Sequence, residues 1–252
     1  MILTLLIPFI YFARTRLNSR AILFHFFFEW VPIVWLAYSS SLDTFFTELL
    51  VGYLAFISVY ELGYLLNDQL ANYQTHGRKR VKVFSKLESF CFVVVRLSSF
   101  LAITFYLDKT TDYRWWIWYV LLLMIFGIHS ILNQDRLKII TFSYLAFARF
   151  FSPIILLVGL ANINWVLPVF LHYVLFRTIT YMDSKDLIRF DRNSNLFRVI
   201  FHIICGAFSV SLAVLNESYV PLWISGYYIF IVGGFAMADT YLDRVTKTKL
   251  KK

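Results

Sequence analysis

The sequence predicts an all-α, polytopic membrane helical bundle, and three observations predict it. Hydrophobic residues make up 60% of the chain and charged residues only 15%, whereas a soluble domain carries about a quarter charged residues and less than half apolar. The mean hydropathy is +0.67. The apolar residues gather into runs of about 20, the length that crosses a hydrocarbon core of about 30 Å, and the alternating ten-residue strands of a membrane barrel are absent from the pattern. Together these exclude a soluble enzyme, a disordered chain and a disulfide scaffold. No Pro-, Gly- or Ser-rich linker divides the chain, so residues 1–252 are expected to form a single domain.

The first segment, MILTLLIPFIYFARTR, holds about a dozen apolar residues, too few to span. It lacks the basic start and the small-residue cleavage site of a signal peptide. An interfacial or tucked helix is expected there. Eight spans follow, at about 21–40, 43–67, 84–107, 115–133, 138–160, 163–183, 196–214 and 219–242. Counting the short N-terminal helix gives nine. Cys91 and Cys205 both fall inside apolar runs and read as buried thiols, not as a disulfide or metal pair. The many Phe, Tyr and Trp residues are expected mostly at lipid-facing and interfacial positions.

Basic residues set the orientation. Nineteen of the 24 Lys and Arg fall in one set of connections, around Arg14–Arg20, Arg78–Lys86, Arg136–Lys138, Lys185–Arg198 and Arg244–Lys252, while the opposite set holds only Lys109 and Arg114. Lys and Arg are retained on the cytoplasmic side, so both termini and the basic loops are expected there, in an inner membrane. The net charge of +9 is explained by this asymmetry and calls for no nucleic-acid partner.

Ionisable groups within spans are costly and commonly functional. The second span ends YELGYLLND. Glu61, Tyr64 and Asp68 share one helix face there, with Glu61 and Asp68 about 10.5 Å apart along the axis, and Asn67 precedes Asp68. The sixth span ends FRTITYMDSKD. Asp183 and Asp186 stand at i, i+3, expected on one face, with Arg177 about one and a half turns deeper and Tyr181 its i+4 neighbour. Two acidic span ends on one side, each followed by basic residues, suit a hard cation that bridges phosphates. The plainer readings are a helix cap at Asp68, a solvated loop start at Asp183 and Asp186, and topology signals at Arg78, Lys79, Arg80 and Lys82. Arg96 and Arg149 fall near mid-span, where topology does not explain them. They are expected to pair with Glu29, Glu48 or Glu61, or to line a polar cavity. His129 and His172 are expected to hydrogen-bond between helices.

At these two motifs the sequence resembles the UbiA superfamily of intramembrane prenyltransferases. That family carries Asn-Asp-x-x-Asp-x-x-x-Asp after its second span and a second Asp-rich motif after its sixth, often preceded by Tyr. Here Asn67-Asp68 stands at the first, and Tyr181-Met182-Asp183-Ser184-Lys185-Asp186 at the second, with Asp191 and Ser194 beyond. The resemblance implies a central cavity open to lipid and capped by motif loops at about 67–84 and 183–196. It implies Mg²⁺-assisted loss of diphosphate from an isoprenoid diphosphate and attack by an acceptor. Carried over residue by residue, Asp68, Asp183 and Asp186 become Mg²⁺ ligands, directly or through water, and Asn67 orients the metal or diphosphate. Arg78, Lys79, Lys185 and Arg189 become phosphate clamps. Tyr64 and Tyr181 stabilise positive charge or bind phosphate, Glu61 binds the acceptor, and Arg149 and Arg177 join the substrate site.

The departures are specific. Ala71 and Thr75 stand where the family has Asp, Asp183 and Asp186 are three apart instead of four, and eight spans replace nine. Fewer carboxylates imply fewer cations. Within the same superfamily, phosphoribosyl transfer from phosphoribosyl diphosphate to a polyprenyl phosphate is the alternative chemistry. A non-catalytic transporter or scaffold with a degenerate site is the alternative of another class. The implied partners are the lipid bilayer, an isoprenoid or polyprenyl lipid substrate and a diphosphate-bearing donor.

Overall fold

The computed structural model describes residues 2–39, 45–74, 84–158, 163–192 and 194–249. Among them every regular element is helical, and eight helical stretches are long and apolar enough to cross a bilayer: Ala21–Tyr38, Phe46–Leu70, Lys86–Tyr106, Tyr113–Ile131, Asp135–Ile154, Asn164–Ser184, Asn195–Leu215 and Val220–Tyr241. The chain is an all-α, multi-pass integral membrane protein. The apolar runs read from sequence match these stretches within a few residues. The chain divides into two compact units, Met1–Gly159 and Leu160–Lys252.

The first unit begins with two short helices, α1 (Ile2–Leu6) and α2 (Ile10–Arg16). Pro8 lies between them. It has no N–H to continue a helix and restricts the residue before it. The chain turns through Phe9, whose φ of 81° is left-handed. The segment is tucked: Tyr11 and Phe12 of α2 are buried. The first span joins α3 (Ser19–His25) to α4 (Val31–Ser39) through a π-helical turn, Phe26–Trp30. Next come α5 (Phe45–Gln74), α6 (Lys86–Tyr106), α7 (Tyr113–Ile131) and α8 (Asp135–Val158).

Capping side chains start three of these helices. Asn18 accepts from the Ala21 N–H, Asp112 accepts from Arg114 N–H, and Ser85 forms a reciprocal capping box with Glu88. α5 is the most buried span and packs against α4, α6, α7 and α8. A Cβ on Gly63 would overlap the Phe126 ring of α7, so glycine is what permits this close crossing.

One expectation is corrected here, at Cys91. The aromatic residues include a buried set beside the outer one: Phe12, Phe56, Tyr60, Phe100, Trp115, Tyr119 and Phe126 form one buried cluster. Phe46, Phe105, Tyr106 and Tyr113 remain on the outer surface, as expected. Cys91 is exposed, although Cys205 is buried. The buried stripe of α6 runs Phe92, Arg96, Phe100, Thr104, and Cys91 lies about 100° around the helix from Phe92.

The second unit contains α9 (Ile163–Val169), a π-helical turn at Phe170–Leu175, α10 (Phe176–Ser184), α11 (Asn195–Leu215) and α12 (Val220–Lys249). A buried polar chain ties three spans together. Ser209 donates to the Cys205 carbonyl at 3.2 Å, and Ser225 donates to Ser209 at 2.6 Å. A hydroxyl has one proton. His172 Nε2–H therefore donates to Ser225 Oγ at 2.8 Å, and His172 Nδ1 accepts from His202 Nδ1–H at 2.8 Å. All four bonds point the same way, and the network assigns both tautomers. His129 Nδ1 and Thr141 Oγ1 likewise join α7 and α8 at 2.7 Å. Both histidines thus serve between helices, as the sequence suggested.

Gly63→Ala should lower the thermal unfolding midpoint in detergent. Overpacking costs about 1–3 kcal/mol, more than the helix propensity gained, about 1 kcal/mol at most. Adding Phe126→Leu should recover much of the loss. An unchanged midpoint for Gly63→Ala would contradict the α5–α7 contact.

Candidate functional site

The first motif lies in the first unit. α5 is 30 residues long, about 45 Å, well over the roughly 30 Å of hydrocarbon. Asn67 and Asp68 lie in its last turns, at the C-terminal end of the apolar stretch. Asp68 is within the helix, six residues before its end, so it neither caps α5 nor belongs to a loop opening at 67. Arg78 and Lys79 fall outside the described residues, as does Thr75.

The shared face of Glu61, Tyr64 and Asp68 is real, and it is covered by the N-terminal segment. Phe12 N–H donates to Glu61 Oε1 at 2.7 Å, the Phe12 and Tyr64 rings stack with an interplanar angle of 3°, and Tyr11 O–H donates to Asp68 Oδ2 at 2.6 Å. Arg16 Nη2 lies 2.5 Å from Asp68 Oδ1, with its guanidinium 4.6 Å from the Tyr64 ring centre. Burial, followed by the Asp68 hydrogen bond and charge, pushes the Tyr11 phenol well above its ordinary pKa. Tyr11 therefore stays a donor across the physiological range.

Beneath this, Arg96 and Glu61 form an ion pair of 2.6 Å, both fully buried. Arg96 is the partner for Glu61 that the sequence left among three carboxylates. Its Nη1 donates to Leu5 O at 2.9 Å, and its Nη2 to Thr4 O at 3.0 Å and Ile7 O at 2.9 Å. These carbonyls lie at the C-terminal end of α1, and the amide bound by Glu61 lies in the first turn of α2. Such groups have no partner within their own helix. The ion pair thus satisfies both ends of a helix broken at Pro8. Glu61 thus holds Arg96 and the Phe12 amide together.

Arg149 of α8 lies deeper. It donates to Tyr64 O–H at 2.6 Å, lies 3.7 Å from Glu29, and sits over the Phe12 and Tyr60 rings at 4.8 and 5.0 Å. Glu29 is completed by His25 Nδ1 at 2.7 Å. Thus Arg149 joins Tyr64, and through it the Asp68 end of α5, with three aromatic faces around its charge.

The second motif lies in the second unit. Asp183 is on the last turn of α10, but Asp186 follows the helix end with a left-handed φ of 55°. The two do not share a helical face: the turn Met182–Leu187 closes on hydrogen bonds to the Met182 and Asp183 carbonyls. Asp183 Oδ1 accepts from Phe190 N–H at 2.9 Å, and Oδ2 lies 3.5 Å from Arg192. Lys185 Nζ stands 5.9 Å over the Tyr181 ring. Asp186, Lys185 and Arg189 are exposed, and Arg177 is half-buried.

Each motif thus comes with groups that sequence reasoning passed over. Tyr11 and Arg16 were in view only as part of a short apolar segment and its basic flank. Arg192 was in view only as a topology residue. Pro8 was the available sign that the first segment breaks and folds back.

Magnesium takes oxygen ligands and keeps most of its water, using one or two carboxylates. Asp68 fits that donor class. Arg16 and Tyr11 engage one of its oxygens each. Among the described residues no group of three or more His, Cys, Asp or Glu is placed to hold a metal.

Arg96→Met should lower stability by about 3–5 kcal/mol, because it leaves a buried carboxylate uncompensated. Arg96→Lys should recover less than half, since one ammonium cannot reach four acceptors spread in a plane. Thermal unfolding and protease cleavage of the N-terminal segment read both effects. An unchanged midpoint for Arg96→Met would contradict the clamp. Set against protein-family models, curated proteins and solved structures, the chain matches none.

Proposed function

We propose that the chain is a UbiA-like intramembrane transferase that moves a polyprenyl group from an isoprenoid diphosphate to an acceptor, releasing diphosphate. The observation that carries the reading is Asp68: a carboxylate near the C-terminal end of a span, with arginine at its side and the face of Tyr64 beside it. A carboxylate and a guanidinium are the two groups that recognise a metal-bound diphosphate. The excess of basic residues in one set of connections supports cytoplasmic termini and motif loops.

In this reading each motif supplies cation ligands of its own, Asp68 in the first unit and Asp183 with Asp186 in the second, directly or through water, with Asn67 orienting the diphosphate. Magnesium, when bound, neutralises diphosphate charge and makes it a better leaving group. Lys185 and Arg189 at the second motif, and Arg78 and Lys79 after the first, are the proposed phosphate clamps. The bond from the allylic carbon to diphosphate oxygen breaks, the electron pair leaves with the diphosphate, and the acceptor closes the new bond and sheds a proton. Tyr64 in the first unit and Tyr181 in the second each offer a ring face to positive charge. The ring face of each already carries a cation of the chain, Arg16 at 4.6 Å and Lys185 at 5.9 Å, which supports that role.

Phosphoribosyl transfer to a polyprenyl phosphate is the second reading. It is favoured by the basic run Arg78, Lys79, Arg80 and Lys82 after the first motif, where Ala71 and Thr75 stand in place of carboxylates. A donor screen separates the two, with diphosphate release measured from prenyl diphosphates and from phosphoribosyl diphosphate. Turnover with a prenyl donor is expected. Asp68→Asn and Asp183→Asn should each lower it by about 10²–10³, the scale of losing one electrostatic stabiliser, with membrane insertion retained. Turnover with the ribosyl donor alone selects the second reading. Silence with both donors leaves a non-catalytic membrane scaffold.

A further inference from the structure

Asp68 is already held by a cation belonging to the chain. Arg16 and Asp68 together are neutral, and their side chains are only 22% and 11% exposed. A divalent ion arriving alone would leave an excess of two positive charges at a poorly solvated site, which is unfavourable. A diphosphate ester removes that excess. It carries about three negative charges at neutral pH, since the last ionisation of a phosphate ester falls near pH 6.

We propose that Arg16 latches this site against metal alone and exchanges partners when a divalent cation and a diphosphate arrive together. Asp68 then passes to the metal and the Arg16 guanidinium to phosphate oxygens. The inference rests on the assignment of Asp68 to metal and diphosphate above. The backbone of α2 does not need to move. It is fixed through the Phe12 amide on Glu61, the stacking of Phe12 on Tyr64, and the Arg96 bonds to Thr4, Leu5 and Ile7. The Arg16 side chain is the part that swings, its other nitrogen giving up only a 3.3 Å bond to the Thr15 carbonyl. Its planar fork suits phosphate as well as carboxylate, and the Tyr64 face keeps a cation nearby during the exchange. Tyr11, bonded to the other Asp68 oxygen, holds the carboxylate in place.

The test is equilibrium dialysis of the detergent-purified full chain, counting bound Mn²⁺ per protein with and without methylenediphosphonate. In the wild type, Mn²⁺ should bind at least about tenfold more tightly when diphosphonate is present, or about 1.4 kcal/mol. Arg16→Gln should shift the two conditions in opposite directions, with Mn²⁺ alone binding more tightly than in the wild type and the gain from diphosphonate shrinking. Arg16→Lys keeps the charge and should exclude lone Mn²⁺ like the wild type, which checks that the Gln variant acts through charge and not through misfolding. If Mn²⁺ alone binds the wild type and Arg16→Gln equally, while Asp68→Asn still abolishes binding with diphosphonate, the latch is overturned and the assignment of Asp68 stands. If neither condition gives binding that depends on Asp68, the assignment itself fails.

Discussion

A guanidinium and a carboxylate, both removed from water, close the two ends of a broken helix. Arg96 gathers three carbonyls at the end of α1, and Glu61 takes an amide at the start of α2. Within a bilayer no water satisfies such groups, so irregular backbone survives only where protein supplies the partners. An isolated buried ion pair is weak evidence of stability. This one is different in kind, because each ion also serves helix-end groups that would otherwise be unmet. Removing either partner uncovers several polar atoms at once.

The clamp determines what the N-terminal segment can touch. With α2 fixed, Tyr11 and Arg16 meet Asp68, and Phe12 slides between Tyr64 and Arg149. The acidic end of α5 is therefore a composed surface of carboxylate, guanidinium, phenol and aromatic faces. The second unit is organised on the same principle with neutral groups. Its spans are joined by the His202–His172–Ser225–Ser209 chain. In both units a π-helical turn carries a buried ionisable side chain, Glu29 in one and His172 in the other. Each turn also lies near a proline, Pro32 or Pro168. A wide turn at a helix defect re-aims a side chain that a regular helix would point elsewhere.

The eight spans were legible because transfer free energy sums over about twenty residues and tolerates local exceptions. Arg96 and Arg149 were legible as paired groups, since a lone mid-span charge is too costly to persist. Their partners were not, because pairing depends on how helices rotate against one another. Chain position alone could not separate Glu29, Glu48 and Glu61. The extent of α5 was misread for a related reason. Hydropathy marks where the bilayer ends, while the helix runs on to Gln74. Asp183 and Asp186 have helical spacing in the sequence, yet the turn at Lys185 separates them. The buried aromatic cluster around Tyr60 and Phe126 escaped a composition argument, because rings that suit lipid suit a packed core equally well.

The account depends most on the N-terminal segment being clamped inside the fold. Hydrogen–deuterium exchange of the peptides covering residues 8–16, in lipid nanodiscs, measures this directly. The Phe12 amide donates to a buried carboxylate, so it should exchange as slowly as amides in the middle of α5. Exchange at the rate of an open chain would contradict the clamp, and with it the surface built around Asp68.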